Sequence, residues 1–266
     1  MKHLDLFSGI GGFSIASDEV FENVEHIFCE INPFCQKVLK KHWPQAAIYE
    51  DIKQLDTAAI GHVDLITGGF PCQPFSVAGK QKGKDDDRFL WPEMLRIIKE
   101  CKPTWVIGEN VAGIINLALE QVCSDLESAG YEVQPIIIPA CAVDAPHRRD
   151  RVWIIAYAEG ERTRGESGEV HRKNGRQNGV GVRYIKQSNK SNDWLEIASE
   201  LCGVDDGLPI ELDGFKLSKS KHRNERIKAL GNAIVPQVAY QIIKYLNQFL
   251  CPQITNQESS GNTSVA

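Results

Sequence analysis

Asp5-Leu6-Phe7-Ser8-Gly9-Ile10-Gly11-Gly12-Phe13 decides the fold, because it joins a short apolar strand, His3–Phe7, to a helix predicted over Phe13–Glu22. Glycines at 9, 11 and 12 let the backbone of such a turn pass close to a bound ligand, with the helix N-terminus facing it. The order Gly-x-Gly-Gly departs from the G-x-G-x-x-G dinucleotide fingerprint, so a plain tight turn and a cofactor cradle are both open on the glycines alone. The next predicted strand, His26–Glu30, ends in an acid about 20 residues after the turn, where a carboxylate can accept hydrogen bonds from ribose hydroxyls. The strand after it, Ala47–Tyr49, runs into Glu50-Asp51-Ile52. Acids at successive strand ends suit a nucleoside-bearing cofactor, although such an acid also serves as a helix cap.

Outward from this unit the same alternation continues. Further strands are predicted at Val63–Thr67, Thr104–Ile107, Val133–Ile138 and Val152–Ala156, and further helices at Pro33–His42, Pro92–Cys101 and Ile114–Ala129. Strands separated by helices imply an α/β fold with a doubly wound, mostly parallel sheet. Val133–Ile138 and Val152–Ala156 have no helix between them and are expected to form an antiparallel hairpin at one edge. The 266 residues suffice for one large core, or for one core with a small added module. A net charge of −5 excludes a uniformly basic nucleic-acid coat but not a basic face. No apolar run reaches the roughly 18 residues of a membrane helix, and the first residues lack a signal-peptide pattern, so a soluble cytoplasmic protein is expected. Eight cysteines occur without any Cys-x-x-Cys pair, which predicts neither a metal site nor a disulfide framework.

One cysteine stands apart from this structural set. Gly68-Gly69-Phe70-Pro71-Cys72-Gln73-Pro74-Phe75-Ser76 follows the apolar strand Val63–Thr67, so Cys72 sits in a turn stiffened by two prolines. Ligands bind beyond strand ends in open α/β sheets, and a thiol there is a candidate nucleophile. Thr104–Ile107 leads into Gly108-Glu109-Asn110-Val111, placing Glu109 on the same sheet edge. A carboxyl group beside a thiol can hand a proton to a base if its pKa is raised. Ala145-Pro146-His147-Arg148-Arg149-Asp150-Arg151-Val152 follows, and alternation along an extended segment would let Arg149 and Arg151 act together on an anion or a carbonyl oxygen.

The composition changes near Ala158. Arg162–Lys190 and Lys216–Lys228 are rich in Lys and Arg and poor in apolar residues. Such runs read as solvated loops or as phosphate contacts. An amphipathic helix is predicted from Ala233 to about Leu250, and the Ser, Thr, Asn and Gly of Gln253–Ala266 predict a disordered tail.

Asp5–Phe13, Glu30, Asp51-Ile52, Gly69–Ser76, Glu109–Val111, His147–Arg151 and Gly231–Pro236, in that order, resemble the DNA (cytosine-5)-methyltransferases that use S-adenosyl-L-methionine, in their small phage or bacterial form. The resemblance implies a Rossmann-like methyltransferase fold. It assigns residues 1–157 with 230–250 to a catalytic and cofactor-binding domain and 158–229 to a small target-recognition region. It implies that Phe7, Gly9, Gly11 and Phe13 form the cofactor loop, that Glu30 binds the ribose, and that Asp51 binds the adenine amino group. Ile31 and Ile52 would flank the ring, and Pro71 and Asn232 would border the same site. Cys72 is the implied nucleophile, Glu109 would contact N3 and the amino group of cytosine, Arg151 would bind O2, and Arg149 would orient Glu109. Implied partners are double-stranded DNA and, encoded separately, a cognate restriction enzyme; the family usually acts as a monomer. His147 stands where the family commonly has Gln in Gln-x-Arg-x-Arg, and the recognition region is short. An RNA-methylating branch carries a Cys-Phe-Thr motif that is absent from this sequence. A non-catalytic relic is opposed by the joint presence of Cys72, Glu109, Arg149 and Arg151.

Overall fold

The computed structural model describes residues 1–71, 89–158, 183–184 and 219–250. The strands are β1 (Lys2–Leu6), β2 (Glu25–Cys29), β3 (Ala47–Tyr49), β4 (Leu65–Gly68), β5 (Trp105–Val111), β6 (Tyr131–Pro139), β7 (Asp150–Ala158) and the two-residue β8 (Arg183–Tyr184). The helices are α1 (Gly12–Asp18), α2 (Pro33–His42), α3 (Thr57–Ile60), α4 (Trp91–Cys101), α5 (Ile114–Leu117), α6 (Leu119–Ser128), α7 (Lys219–Asn232) and α8 (Pro236–Leu250). They form a mixed α/β sheet in the order β3-β2-β1-β4-β5-β7-β6-β8. β1 to β5 are mutually parallel, whereas β7 runs antiparallel to both β5 and β6. From β1 the chain winds outward to β2 and β3, then returns to lay β4 on the other side of β1. The switch point therefore lies between β1 and β4, where open α/β sheets form their ligand crevice.

Alternation along the strands divides the core. Leu4, Leu6, Ile66 and Val106 face one side and pack with Met94, Ile97 and Ile98 of α4 and Val122 and Leu126 of α6. Leu65 and Ile107 face the other side with Phe13 and Ala16 of α1 and Val238, Ala239, Ile242 and Ile243 of α8. α8 is thus packed against α1, the first helix after the glycine turn. α2 starts where the periodicity predicts, with Asn32 Oδ1 accepting from the Phe34 amide at 2.8 Å and Pro33 as its first residue. No helix among the described residues is long and apolar enough to cross a membrane.

Several expected elements differ: the basic run Lys216–Lys228, expected as a loop or as phosphate contacts, is helical from Lys219 as part of α7, and the helix expected from Ala233 starts at Pro236. The helix expected over Ile114–Ala129 is two, broken at Ala118, whose φ of −151° leaves the helical region. α1 stops at Asp18, short of Glu22. β5 continues to Val111, past the expected end at Ile107, because antiparallel β7 keeps supplying partners after the parallel ladder with β4 stops at Gly108. The hairpin of Val133–Ile138 with Val152–Ala156 is present as β6 and β7, lengthened at both ends. The tail at 253–266 and nearly all of 158–218 lie outside the described residues.

Candidate active site

Two groups of residues meet at the C-terminal ends of β1, β2, β4 and β5. The first is the glycine turn. Phe7, Gly9 and Gly11 all take positive φ, at 55°, 55° and 85°. The two glycines serve different ends. A Cβ on Gly11 would lie 2.5 Å from the Trp43 ring, so packing demands a glycine, whereas a Cβ on Gly9 would meet nothing within 4 Å. The Gly9 amide donates to Glu30 Oε2 and the Asn32 amide to Glu30 Oε1, both at 2.7 Å. Glu30 is therefore buried at the end of β2 and aimed at the turn by backbone donors, with lone pairs remaining on both oxygens.

Around this crevice the other expected residues take varied places. Ile31 is 74% exposed beside Glu30, an unusual state for an isoleucine. Asp51 caps a single 3₁₀ turn, Oδ1 accepting from the Lys53 amide at 3.0 Å, and Ile52 is buried in the core below it. Phe7 is half-buried against that core. The Phe13 ring is core on the opposite face, edge-on to Trp153, so Phe13 offers the turn only its backbone. A Cβ on Gly12 would lie 2.7 Å from Ile234, which shows how closely the α7–α8 junction approaches the turn.

The second group is built on β5 and β7. Glu109 lies inside β5 opposite Trp153, and Arg151 is opposite Val111, so the two are diagonal neighbours on one face of the ladder. Arg151 Nε meets Glu109 Oε1 at 2.9 Å, with both side chains largely buried. Burial raises the Glu109 pKa above the ordinary carboxylate range, and Arg151 and then Arg149 oppose that rise. Glu109 Oε2 would lie 3.4 Å from a Cβ on Gly69, so the carboxylate reaches the loop that follows β4. Asn110 Nδ2 donates to the Phe70 carbonyl at 2.9 Å, tying the same loop to β5 two residues before Cys72. Sequence reasoning gave Asn110 no role; its signal is a polar residue at the buried end of a strand. Pro71 is half-buried, and Cys72 lies outside the described residues.

Arg149 departs from the expected geometry. Its φ of 39° is left-handed, so it does not continue the extended alternation with Arg151. Its Nη2 donates to the carbonyls of Gly231 at 3.0 Å and Ala233 at 2.8 Å. Those groups flank the exposed Asn232 at the end of α7, so Arg149 fastens the α7–α8 junction to the start of β7. Four other thiols, Cys29, Cys35, Cys101 and Cys123, are buried and unoxidised. Burial pushes Cys29 and Cys35 up to about 12 and Cys123 to about 11, which leaves them inert. No group of three or more potential metal ligands is gathered among the described residues.

Residues 1–201 match the family model of the C-5 cytosine-specific DNA methylases. The Type II methyltransferase M.HgiCII of Herpetosiphon aurantiacus is 28% identical over 252 residues, 92% of this chain and 53% of that protein. The Type II methyltransferase M.NlaX of Neisseria lactamica is 32% identical over 162 residues, 59% of this chain and 52% of that protein. The chain thus spans about half the length of these curated relatives. Among solved structures, the S. pombe Dnmt2 methyltransferase superimposes with a TM-score of 0.62 over 93% of this chain and 98% of that one, at 19% identity. At that identity the likeness concerns the fold, a Rossmann-like methyltransferase sheet.

Proposed function

Because the chain belongs to the C-5 cytosine-specific DNA methylase family, we propose that it is an active DNA (cytosine-5)-methyltransferase that uses S-adenosyl-L-methionine. The observation that carries the reading is the buried Glu109–Arg151 pair, held against the loop that leads from β4 through Pro71 to Cys72.

The residues of the first crevice fit the cofactor. Gly9 borders open space, Glu30 presents hydrogen-bond acceptors beside it, and Ile31 leaves an apolar side chain uncovered. Glu30 would hold the ribose hydroxyls, Asp51 the adenine amino group, and Phe7 and Ile31 the ring. When bound, the sulfonium supplies an electrophilic methyl group.

The chain's own residues make cytosine able to accept it. The target base has to leave the duplex stack to reach the crevice. The Cys72 thiolate adds to C6, forming a carbon–sulfur bond, while Glu109 gives a proton to N3. The electron pair displaced from the C5–C6 double bond makes C5 nucleophilic. After methylation a base removes the C5 proton, the double bond re-forms, Cys72 leaves as the thiolate and N3 returns its proton to Glu109. Arg151 donates to the cytosine O2 and, as the cation beside Glu109, favours the return of Glu109 to carboxylate. Residues 1–157 with 230–250 carry this chemistry, while 158–229, with its basic runs, contacts duplex DNA. The Type II names of the relatives accord with a modification enzyme paired to a restriction enzyme.

The test is bisulfite sequencing of plasmid DNA from cells expressing the wild type or Cys72→Ala. The expected result is protection of cytosines in a short shared context, abolished by the substitution. No protected cytosine with the wild type, or protection that survives in Cys72→Ala, would overturn the reading.

A further inference from the structure

Between β1, β4 and α1 lies a closed polar circuit that the chemistry above does not use. Asp5 and His3 of β1, Thr67 of β4, and Ser14 and Ser17 of α1 are all fully buried. Asp5 and Thr67 are register partners across β1 and β4. Asp5 Oδ1 is 2.8 Å from Thr67 Oγ1, which is 2.8 Å from His3 Nε2. His3 Nδ1 is 3.1 Å from Ser17 Oγ, which is 3.0 Å from the Ser14 carbonyl oxygen. Ser14 Oγ closes the ring 3.3 Å from Asp5 Oδ2.

These five contacts need five hydrogens. Three hydroxyls and one N–H of a neutral imidazole provide only four. One further proton completes the ring, carried by the Asp5 carboxyl or by the second nitrogen of His3. With it on Asp5, the carboxyl donates to Thr67, Thr67 to His3, His3 to Ser17, Ser17 to the Ser14 carbonyl, and Ser14 back to Asp5.

We propose that Asp5, Thr67 and His3 are positioning residues of a one-proton circuit that holds the glycine turn and the Gly69–Pro71 segment after β4 in working register, and that losing this proton weakens cofactor binding. The inference deepens the methyltransferase reading and rests on it for the cofactor. Asp5 lies two residues before Phe7, and Thr67 lies five before Cys72. Ser14 and Ser17 sit on the helix that leaves the glycine turn. The circuit therefore pins the strands entering both loops.

The charged and titratable neighbours agree on where the proton rests. From β2, Glu30 opposes a second negative charge on Asp5, and the His26 ring, 5.4 Å from the His3 ring, opposes a positive charge there. Asp18 of α1 is committed to His26 at 2.7 Å and to the Trp43 indole at 2.8 Å. β4 contributes only the Thr67 hydroxyl. Burial is the largest influence on each group, raising Asp5 to about 8 and holding His3 neutral.

Asp5→Asn tests the circuit, because an amide donates where the protonated carboxyl donates and accepts where it accepts, yet it cannot ionise. Asp5 has a raised folded-state pKa, so its contribution to stability is complete below its unfolded value and lost as pH rises through about 8. Asp5→Asn is expected to melt above the wild type at about pH 9, the gap closing toward about pH 5. In calorimetric titrations with S-adenosylmethionine, wild-type affinity is expected to fall by up to about tenfold between pH 7 and pH 9. Relative to that fall, Asp5→Asn stays flat. A melting point of Asp5→Asn below the wild type at alkaline pH, or the same affinity slope in both proteins, would overturn the proposal. Thr67→Ser keeps the relay and the wild-type slope, whereas Thr67→Val breaks it and lowers affinity several-fold; equal behaviour of the two would also overturn it. A wild type that binds no S-adenosylmethionine at any pH refutes the methyltransferase reading instead, and the melting comparison still decides the circuit.

Discussion

Asp5 and Glu109 are buried carboxyl groups on the two strands that flank β4, and the sheet accommodates them by opposite means. Glu109 has a guanidinium 2.9 Å away and a second arginine acting at longer range. Among the described residues, the Asp5 carboxyl has only hydroxyls within hydrogen-bond distance. A buried carboxylate beside a cation can ionise at moderate cost and can also take up a proton, which suits a group that must exchange one with a base. Held by hydroxyls alone, a carboxylate ionises at far greater cost and stays neutral, which suits a fixed strut. The comparison separates chemistry from support within one sheet, and the same edit at the two sites should have opposite signs.

The largest effect is expected on the Glu109 side. Arg151→Ala removes the cation and leaves a buried carboxylate unpaired, which costs about 3–5 kcal/mol when that group is charged. The Glu109 pKa is already raised by burial. Losing Arg151 raises it further, so the deficit is small below the ordinary carboxylate range and grows as pH rises. Melting curves against pH check this; a deficit that shrinks as pH rises would show that the pair is not what holds Glu109. Next comes Glu109→Gln, the counterpart of Asp5→Asn. The amide cannot deliver a proton and leaves Arg151 without a counter-charge, so turnover should fall by about 10²–10⁴-fold. Cofactor affinity, measured separately, should stay within a few-fold, because Glu30 and the glycine turn lie across β4. A Glu109→Gln protein with near-normal turnover would erase the distinction between the two sites.

Much of this was legible in the residues, and what was not has a common cause. The glycine turn, the acid ending β2 and the apolar runs of the central strands all signal through local pattern. β5 outruns its local pattern because Gly108, Glu109 and Asn110 have low strand propensity and are held in the ladder by β7, more than 40 residues later. Arg149 acts on the charges of Arg151 and Glu109, as alternation suggests, but its hydrogen bonds go to carbonyls 82 and 84 residues away, which no local pattern announces. The break at Ala118 leaves no Gly or Pro to announce it. The Asp5 circuit was invisible for the same reason as the end of β5. His3 and Thr67 become partners only through the register of β1 on β4, which no periodicity specifies. Pattern fixes which residues can form an element; pairing across the sheet decides which of them meet.

The smallest expected effect probes the Asp5 side without breaking its relay. Ser14 Oγ is 3.3 Å from Asp5 Oδ2, the longest contact of the circuit, and Ser14→Ala deletes it while leaving Asp5, Thr67 and His3 in sequence. A net loss of about 1 kcal/mol is expected at neutral pH, where the carboxyl is protonated and Oδ2 is a neutral acceptor. The Ser14 hydrogen bond favours the charged form of Asp5, so its removal raises the Asp5 pKa further above the usual range. The alkaline limb of the stability profile should therefore move to higher pH in Ser14→Ala, and the deficit against the wild type should grow as pH rises through that limb. A limb that moves to lower pH would mean that Ser14 does not act on an ionising Asp5. The contrast with Glu109, whose own limb is governed by Arg151 and should be untouched by Ser14→Ala, would then have to be drawn elsewhere.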